Sequence, residues 1–186
     1  MKKLALCNAD VTSELAWPES GEETTVESPA LDVFTDFTTT KPLIIEANTS
    51  AVDADKLMQK AHVRLKIVVD EDKRFLGIVS FQDISAQEMM IKVSEGHKRE
   101  DLSVGDFMHP RHQLKGLTYT ELSTASIRKV INALKDSRQQ HCVVVDDDRR
   151  RLRGIISASD LARKLRLPLD IHNESNFSQI YKAIMH

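Results

Sequence analysis

The sequence predicts an α/β (α+β) fold made of two β-α-β-β-α repeats that pack with pseudo-two-fold symmetry. One short segment occurs twice, as GIVSFQDI at 77–84 and as GIISASDL at 154–161. In both halves, short apolar runs typical of strands alternate with segments whose apolar residues recur at helical spacing. This order of elements excludes a helical repeat and an all-β sandwich. Repeated units of this size usually bury their faces against each other.

The first repeat covers residues 31–94. An apolar run after Pro42 predicts a strand at 43–45, and Ser50 predicts a helix N-cap with Asp53 in the first turn. The next elements are a strand at 67–69, a polar turn at 70–74, a return strand at 75–80 and a helix that Asp83 opens. The residues expected on the inner helix faces are Ala54, Leu57, Met58 and Ala61, then Ile84, Met89, Met90 and Val93.

The second repeat covers residues 102–167 and follows a charged linker at 95–101. Ser123 is the expected cap of a helix, and the strand at 143–145, the turn at 146–151 and the return strand at 152–157 follow it. Asp160 starts the next helix. The motif glycines are 77 residues apart whereas the matched strand residues Ile67 and Val143 are 76 apart. The second hairpin turn is therefore predicted to be one residue longer than the first.

Both chain ends differ from the repeats. Residues 1–30 form an acidic N-terminal arm, because no Lys or Arg occurs from Asp10 to Phe37 and no apolar periodicity is present. Residues 168–186 predict a C-terminal amphipathic helix. Its apolar stripe needs a partner, either the body of this chain or another subunit, and consists of Phe177, Ile180, Tyr181 and Ile184.

Composition limits the classes of function. The chain has 186 residues, 41% of them hydrophobic, which is enough for a core, and a net charge of −2 disfavours binding dominated by nucleic-acid phosphates. Two cysteines make no disulfide framework, so a reducing compartment is expected. No apolar stretch reaches the length of a membrane span. We expect a cytoplasmic protein with no membrane partner. No P-loop or nucleophile elbow occurs, so no catalytic residue is assigned and the protein is not expected to be an enzyme.

The repeated motif places two polar groups at one end of each hairpin. Ser80 and Ser157 end strands, and Asp83 and Asp160 follow at helix starts. A hydroxyl can donate to a phosphate oxygen, a carboxylate can accept from two ribose hydroxyls, and N–H groups at a helix start favour an anion. Helix capping selects the same residue types at the same spacing. From the residues alone, ligand binding and capping both remain open.

Three motifs together resemble the CBS domain. They are VGDFMHP at 104–110, the VVVD strand end at 143–146 and the two closing segments at 77–84 and 154–161. The span from Leu31 to Arg166 resembles a tandem CBS pair, or Bateman module, although Val33 to Phe37 lacks the Met-x-Pro signature. This resemblance implies two clefts between the repeats. It also implies phosphate contacts from Ser80 and Ser157 and ribose contacts from Asp83 and Asp160.

The resemblance further implies a stand-alone, non-catalytic regulatory module. Its ligand would be an adenine nucleotide or adenosyl compound (AMP, ADP, ATP or S-adenosylmethionine), acting as a regulatory ligand rather than a cofactor. An unidentified protein would be regulated, and a homodimer is expected through the Met89–Met90 helix face or the final helix. The alternative is a ligand-free dimeric scaffold, which Phe81 favours because it is bulky where the second copy has Ala158.

Three further patterns carry less weight. The arginine-rich turn at 149–153 suggests nucleic-acid binding, which the acidic arm and net charge disfavour. His109 and His112 lack a Cys or carboxylate at ligand spacing, so we expect exposed loop residues and no metal. His141 and Cys142 are neighbours on a strand and face opposite sides, which makes Cys142 a core residue rather than a reactive thiol.

Overall fold

The computed structural model describes residues 23–148, 150–168 and 175–185, which form two four-stranded sheets and six helices. The strands are β1 (Phe34–Asp36), β2 (Ile44–Glu46), β3 (Leu65–Val69), β4 (Phe75–Ser80), β5 (His109–Pro110), β6 (Gly116–Thr118), β7 (His141–Val145) and β8 (Leu152–Ser157). The helices are α1 (Ala51–Lys60), α2 (Ala86–Ser94), α3 (Tyr119–Ser123), α4 (Ile127–Ala133), α5 (Ala158–Lys164) and α6 (Phe177–Met185).

Each repeat lends its first strand to the sheet of the other repeat. The sheet orders are β2-β3-β4-β5 and β1-β8-β7-β6. β1, from the first half of the chain, pairs antiparallel with β8, and β5, from the second half, pairs antiparallel with β4. Residues 34–36, which the sequence analysis assigned to the first repeat, therefore belong to the second sheet. The carboxylate of Asp36 fixes them there through a bidentate ion pair with Arg153.

The two hairpins confirm the predicted difference in turn length. Val69 lies opposite Phe75 and Val145 opposite Leu152, so the connecting turns are 70–74 and 146–151. A register shift occurs just before the turn in both hairpins, at Val68/Val69 and at Val144/Val145. The repeats thus share their local irregularities as well as their order of elements.

Two helix starts, at Asp83 and Ser123, differ from the sequence prediction. Asp83 lies in a turn, and α2 begins only at Ala86, where the Ser85 hydroxyl accepts from the Glu88 N–H. Ser123 ends α3 and caps no helix. The reason is a capping box between Thr118 and Glu121, which starts a short helix earlier than the apolar stripe indicates.

Other helix predictions are confirmed. The Ser50 hydroxyl accepts from the Asp53 N–H at the start of α1, and Asp160 lies in the first turn of α5. Leu57 and Ala61 are exceptions, since Leu57 is 51% exposed and Ala61 is exposed and follows the last residue of α1. The inner face of α1 is formed by Ala51, Ala54 and Met58, and Leu57 lies about 100° away from Met58 around the helix.

Each repeat has its own core, and a smaller third core joins the two sheets. The first centres on Met58, Val68, Val79, Ile84 and Met89, and the second on Ile131, Val144, Ile156, Leu161 and Phe177. The joining core consists of Ile67, Val69 and Ile78, with partly buried neighbours from both repeats. Cys142 is fully buried as predicted, and burial raises the pKa of its thiol to about 12.

Both chain ends pack on the second repeat where they are described. Phe177 and Ile180 of α6 are buried in the second core, so the apolar stripe of this helix is covered by the chain itself. Residues 1–22 of the acidic arm lie outside the described residues. Its last part docks through the ion pair between Glu27 and Arg128, 2.5 Å long, and through burial of Ala30. Within the described ranges, none of the helices has the length and apolar character that crossing a membrane requires.

Candidate functional site

A cavity of 360 Å³ lies between the two sheets, at the end where β4 finishes and β7 begins. Both repeats contribute to its wall, which is formed by Leu65, Ile78, Ser80, Asp83, His109, Leu114, Arg138, Gln139, Gln140 and His141. We call it the Asp83 cavity. Its volume falls within the range of small-molecule sites, roughly 300–1,000 Å³. The structure therefore brings Ser80 and Asp83, two of the predicted ligand residues, into one cavity.

The Asp83 carboxylate holds the turn after β4 and also faces the cavity. Its Oδ2 accepts from the Ser80 N–H at 2.7 Å, and the Ser80 hydroxyl accepts from the Asp83 N–H at 3.3 Å. Its Oδ1 lies 3.0 Å from Nε2 of His109 on β5. These contacts are the capping interactions that the sequence left open. A carboxylate has about four acceptor positions, and these contacts leave part of that capacity for a ligand.

His109 and Asp83 form a partly buried hydrogen-bonded pair. The hydrogen bond to Asp83 raises the pKa of His109 above its ordinary value, although burial opposes this. Burial alone would raise the pKa of Asp83, but the hydrogen bonds from His109 and from the Ser80 backbone outweigh it and lower the pKa. Asp83 is therefore ionised at neutral pH. The strand exchange creates this pair, because β5 carries a second-half residue to the first sheet.

His141 contributes a neutral imidazole to the cavity wall. Burial lowers its pKa to about 4, against the attraction of the Asp83 and Asp160 carboxylates. His141 lies opposite Ser157 in the second hairpin, just as Leu65 lies opposite Ser80 in the first. The two repeats therefore place different residue types at equivalent positions, and the cavity is asymmetric.

Arg138 and Gln139 complete the polar wall. The Gln139 side chain donates to the Gln113 carbonyl at 2.7 Å and accepts from the Lys115 N–H at 3.0 Å. Arg138 is exposed, and its guanidinium makes no hydrogen bond or ion pair with the residues that the structure describes. A cation without a partner is thus available at this cavity.

Sequence reasoning missed three residues of this wall. His109 is exposed, as expected, but it lies on β5 instead of in a loop and pairs with Asp83. Its position inside the VGDFMHP motif is the signal that could have found this contact. Arg138 and His141 stand at no motif position. They reach the cavity only because β7 begins next to β4 across the interface between the sheets.

Ser157 and Asp160 are arranged differently from the first copy. Neither lines the Asp83 cavity. The Ser157 hydroxyl accepts from the Asp160 N–H at 3.4 Å, and the Asp160 carboxylate is paired with Arg163 at 2.5 Å. The Asp160 side chain is 44% exposed, against 20% for Asp83. The Asp83 carboxylate is therefore the better shielded of the two from solvent.

Phe81 and Ala158, the unequal residues of the two motifs, face away from the cleft. Phe81 packs against the first core, and Ala158 is fully buried in the second. The size of Phe81 therefore does not bear on whether a ligand fits, and the scaffold alternative loses that argument. Among the described residues, no three His, Cys, Asp or Glu side chains gather in a way that could hold a metal ion.

A family model for the CBS domain matches residues 33–87 and 118–167, more than half of the chain. The protein belongs to the CBS domain family. Two matches in one chain make it a tandem CBS pair, and its mixed α and β architecture agrees with that family. CBS pairs are regulatory modules. The second match begins after VGDFMHP, so the helices and hairpins carry it rather than that motif.

Solved structures resemble this CBS pair over most of its length. A conserved protein from Pyrococcus horikoshii is 21% identical with a TM-score of 0.55, and the match covers 78% of this chain and 98% of that one. CBSX2, an Arabidopsis thaliana protein, is 22% identical in a complex with AMP, with a TM-score of 0.51 and coverage of 73% and 94%. A CBS domain protein from Thermoplasma acidophilum is 20% identical, with a TM-score of 0.51 and coverage of 82% and 77%. No curated protein matches the chain.

Acidification is expected to lower stability through His141. Its pKa is about 4 when folded, whereas an imidazole in the unfolded chain titrates near 6.5. Between these values only the unfolded state takes up the proton, so the free energy of unfolding falls as the pH falls, by at most roughly 3 kcal/mol. His141→Leu supplies the residue type of Leu65 and should remove this component. Urea unfolding of both proteins between about pH 7 and about pH 4 measures the difference.

The titration of His109 changes the free energy of unfolding with pH in the opposite direction, so His109 provides an internal control. Its folded pKa is raised, so its contribution is complete below about pH 6.5 and is lost as the pH rises through the folded value. His109→Gln should therefore change the neutral-to-alkaline side of the profile. Parallel profiles of the wild type and His141→Leu on the acid side would contradict the assignment to His141.

Proposed function

We propose that this CBS pair is a non-catalytic regulatory module that binds an adenine nucleotide or adenosyl compound in the Asp83 cavity. The observation that carries the proposal is the ionised, shielded Asp83 carboxylate, which has acceptor positions left and faces a cavity built by both repeats. The AMP complex of CBSX2 supports adenine nucleotides as the first ligands to test. The described residues provide a binding constellation rather than a nucleophile with an adjacent base.

The cavity residues suit the parts of such a ligand. Asp83 accepts from the ribose hydroxyls, and the Ser80 hydroxyl donates to a phosphate oxygen. The unpaired Arg138 supplies positive charge for the phosphate, and the raised pKa of His109 favours its charged form beside it. The apolar side chains of Leu65, Ile78 and Leu114 provide a surface for the base. His141 is neutral, so it can accept a hydrogen bond as well as donate one.

The position of the proposed ligand, between the two repeats, provides a mechanism of regulation. Asp83 belongs to the first repeat and His109 to the second half of the chain, so a ligand that contacts both fixes the two repeats relative to each other. A ligand shifts a conformational equilibrium only by its differential affinity for two states. The unidentified regulated protein would respond to that shift.

The test is calorimetric titration with AMP, ADP, ATP and S-adenosylmethionine. Asp83→Ala should weaken binding of the preferred ligand by ten- to a hundredfold, because a charged hydrogen bond is worth about 1.5–3 kcal/mol. Ser80→Ala should weaken the binding of AMP, ADP and ATP more than the binding of S-adenosylmethionine, which has no phosphate. A ligand at a hundred times its Kd should stabilise the wild type by about 2.7 kcal/mol in thermal unfolding.

Asp160→Ala is the matched control from the other motif copy. Asp160→Ala should leave unchanged the affinity for the one molar equivalent of ligand that binds in the Asp83 cavity. Ser157 and Asp160 remain the predicted ligand residues of a second cleft. If the wild type binds a second molar equivalent of ligand and Asp160→Ala does not, that result would identify the second cleft. No heat and no thermal shift with any of the four ligands at millimolar concentration would contradict the proposal and leave the scaffold alternative.

We also propose that the CBS pair forms a homodimer through α2. Met90 is 59% exposed and Ile91 lies beside it, also exposed, whereas Met89 is buried in the first core. Of the predicted face, only Met90 can therefore reach a partner, and α6 is covered by the chain itself. The Met90→Glu/Ile91→Glu variant should sediment as a monomer where the wild type is a dimer, whereas Leu57→Glu on α1 should not. A monomeric wild type at high micromolar concentration would contradict this.

Nucleic-acid binding gains no support from the arginine-rich turn. Arg151 is paired with Asp146 at 2.5 Å, and Arg153 is held between Asp36 and Asp146 and lies over the ring of Tyr119. Arg149 lies outside the described residues. Arg151 and Arg153 thus stabilise the sheet that β1 joins.

A further inference from the structure

A second cavity lies at the opposite end of the interface between the sheets, next to the two hairpin turns. It measures 940 Å³. Its apolar floor comes from both sheets and consists of Ile44, Ile67, Val69, Phe75, Leu117, Val143, Val145 and Leu152. Its nearest strand positions, Ile67 and Val143, lie two residues beyond Leu65 and His141, which line the Asp83 cavity, and Leu114 lines both cavities. The repeated motif therefore contributes none of its polar residues here.

Positive charge surrounds this second cavity. Five cationic residues line it: Lys73 and Arg74 from the first hairpin turn, Arg150 and Arg151 from the second, and Arg111 after β5. Glu121 is the single acidic residue among those that line it. The cations come from three separate segments, so they encircle a bounded space instead of following a line along the surface. We call this space the arginine cavity.

Two of these cations are not neutralised. Lys73 pairs with Glu46, Arg74 lies 3.8 Å from Asp72, and Arg151 lies 2.5 Å from Asp146. The side chains of Arg111 and Arg150 make no hydrogen bond or ion pair with any residue that the structure describes. A guanidinium presents a fork of donors that matches phosphate oxygens. Arg111 and Arg150 thus leave this donor capacity to a ligand.

We propose that the arginine cavity binds a small organic polyphosphate. The phosphate groups lie at Arg111 and Arg150, and the apolar or aromatic part of the molecule lies on the floor between Ile67, Val143 and Val145. The volume of 940 Å³ matches a small molecule rather than an extended polymer. This site adjoins the Asp83 cavity at Leu114 but has its own cations, so the module has a second input at the other end of the same interface. The proposal does not depend on the proposed function.

The experiment titrates the full chain with two probes, ATP and inorganic tripolyphosphate. It uses the Asp83→Ala background, in which the Asp83 cavity is impaired. Both probes should bind, ATP the more tightly because only ATP has a part that covers the apolar floor. Arg111→Gln/Arg150→Gln should weaken both by roughly tenfold or more, since two charge-assisted contacts are lost. Binding should also weaken with added salt.

The control is Lys60→Gln/Lys129→Gln, which removes the same charge from exposed helix positions outside both cavities. It should leave both affinities unchanged. Equal weakening in the control, equal affinity for the two probes, or no binding at millimolar concentration would each overturn the proposal. Tighter binding of a single-stranded oligonucleotide than of ATP, abolished in Arg111→Gln/Arg150→Gln, would overturn it in favour of a nucleic-acid surface. Weaker ATP binding in Asp83→Ala than in the wild type concerns the proposed function, whereas complete loss of ATP and tripolyphosphate binding in Asp83→Ala would overturn the present proposal.

Discussion

Gly154→Ala is expected to detach β1 from the second sheet and lower the free energy of unfolding by about 3 kcal/mol or more. A Cβ at this position would lie 2.1 Å from the Thr35 carbonyl oxygen and 2.4 Å from the ring of Phe34. Both contacts belong to β1, and backbone in a strand pair cannot move aside without breaking the pairing. The midpoint of thermal unfolding should fall by roughly 6–12 °C for a chain of this size.

Gly105→Ala is the matched control. Its nearest neighbour is the Ala47 carbonyl oxygen at 3.3 Å, which asks for a shift of only a few tenths of an ångström. Its cost should stay below about 1 kcal/mol. If Gly154→Ala were as mild as Gly105→Ala, β1 would not be packed against β8 as the structure has it.

Gly77 has the same role in the first sheet. A Cβ there would lie 2.3 Å from the His109 carbonyl oxygen. The duplicated motif glycines thus admit the exchanged strands: Gly154 admits β1 and Gly77 admits β5. Because β5 carries His109 to Asp83, the glycine of the first motif is linked to the geometry of the candidate site.

The hairpins could be predicted from the sequence because their signals are local. The apolar runs at 67–69 and 143–145 and the polar turns after them determine the order of strands. The one-residue difference in turn length follows from counting along a duplicated chain. β3 and β7 contain these runs and bury Val68 and Val144, which confirms that the runs are strands.

The strand exchange could not be predicted in the same way. β1 has three residues and β5 has two, which is too short for any periodic pattern. Their partners, β8 and β4, are far away in sequence, so only the tertiary fold selects the pairing. The ion pair between Asp36 and Arg153, which lowers the pKa of Asp36 to about 2, joins residues that no local signal connects.

The candidate site likewise contains some residues that could be predicted from the sequence and others that could not. Ser80 and Asp83 could be found because the motif repeats, and their spacing implies the turn that they form. His109, Arg138 and His141 enter the wall through contacts between repeats. The duplication also suggests two equal clefts, whereas Leu65 and His141 at equivalent positions make the two sides chemically different. An internal repeat thus predicts architecture more closely than it predicts the chemistry of each copy.

Phe177→Ala is expected to cost about 3–5 kcal/mol, because it empties the largest fully buried side chain of the second core. Phe177 belongs to α6, beyond both family matches, so a large effect would show that the repeats need this helix. Thermal and urea unfolding measure it. Met185→Ala, on the same helix but 60% exposed, is the control and should cost less than about 0.5 kcal/mol.

Phe177→Ala should also affect ligand binding in the Asp83 cavity. The Phe177 N–H donates to the Gln139 carbonyl at 3.2 Å, and the Ser178 N–H donates to the Ser137 carbonyl at 3.0 Å. The start of α6 therefore fixes the segment that carries Arg138 and Gln139 into the cavity wall. Phe177→Ala should weaken nucleotide binding under conditions where the protein is still folded, while Met185→Ala should not. Unchanged affinity in a folded but destabilised Phe177→Ala protein would show that this wall is held by the Gln139 side-chain contacts to Gln113 and Lys115 alone.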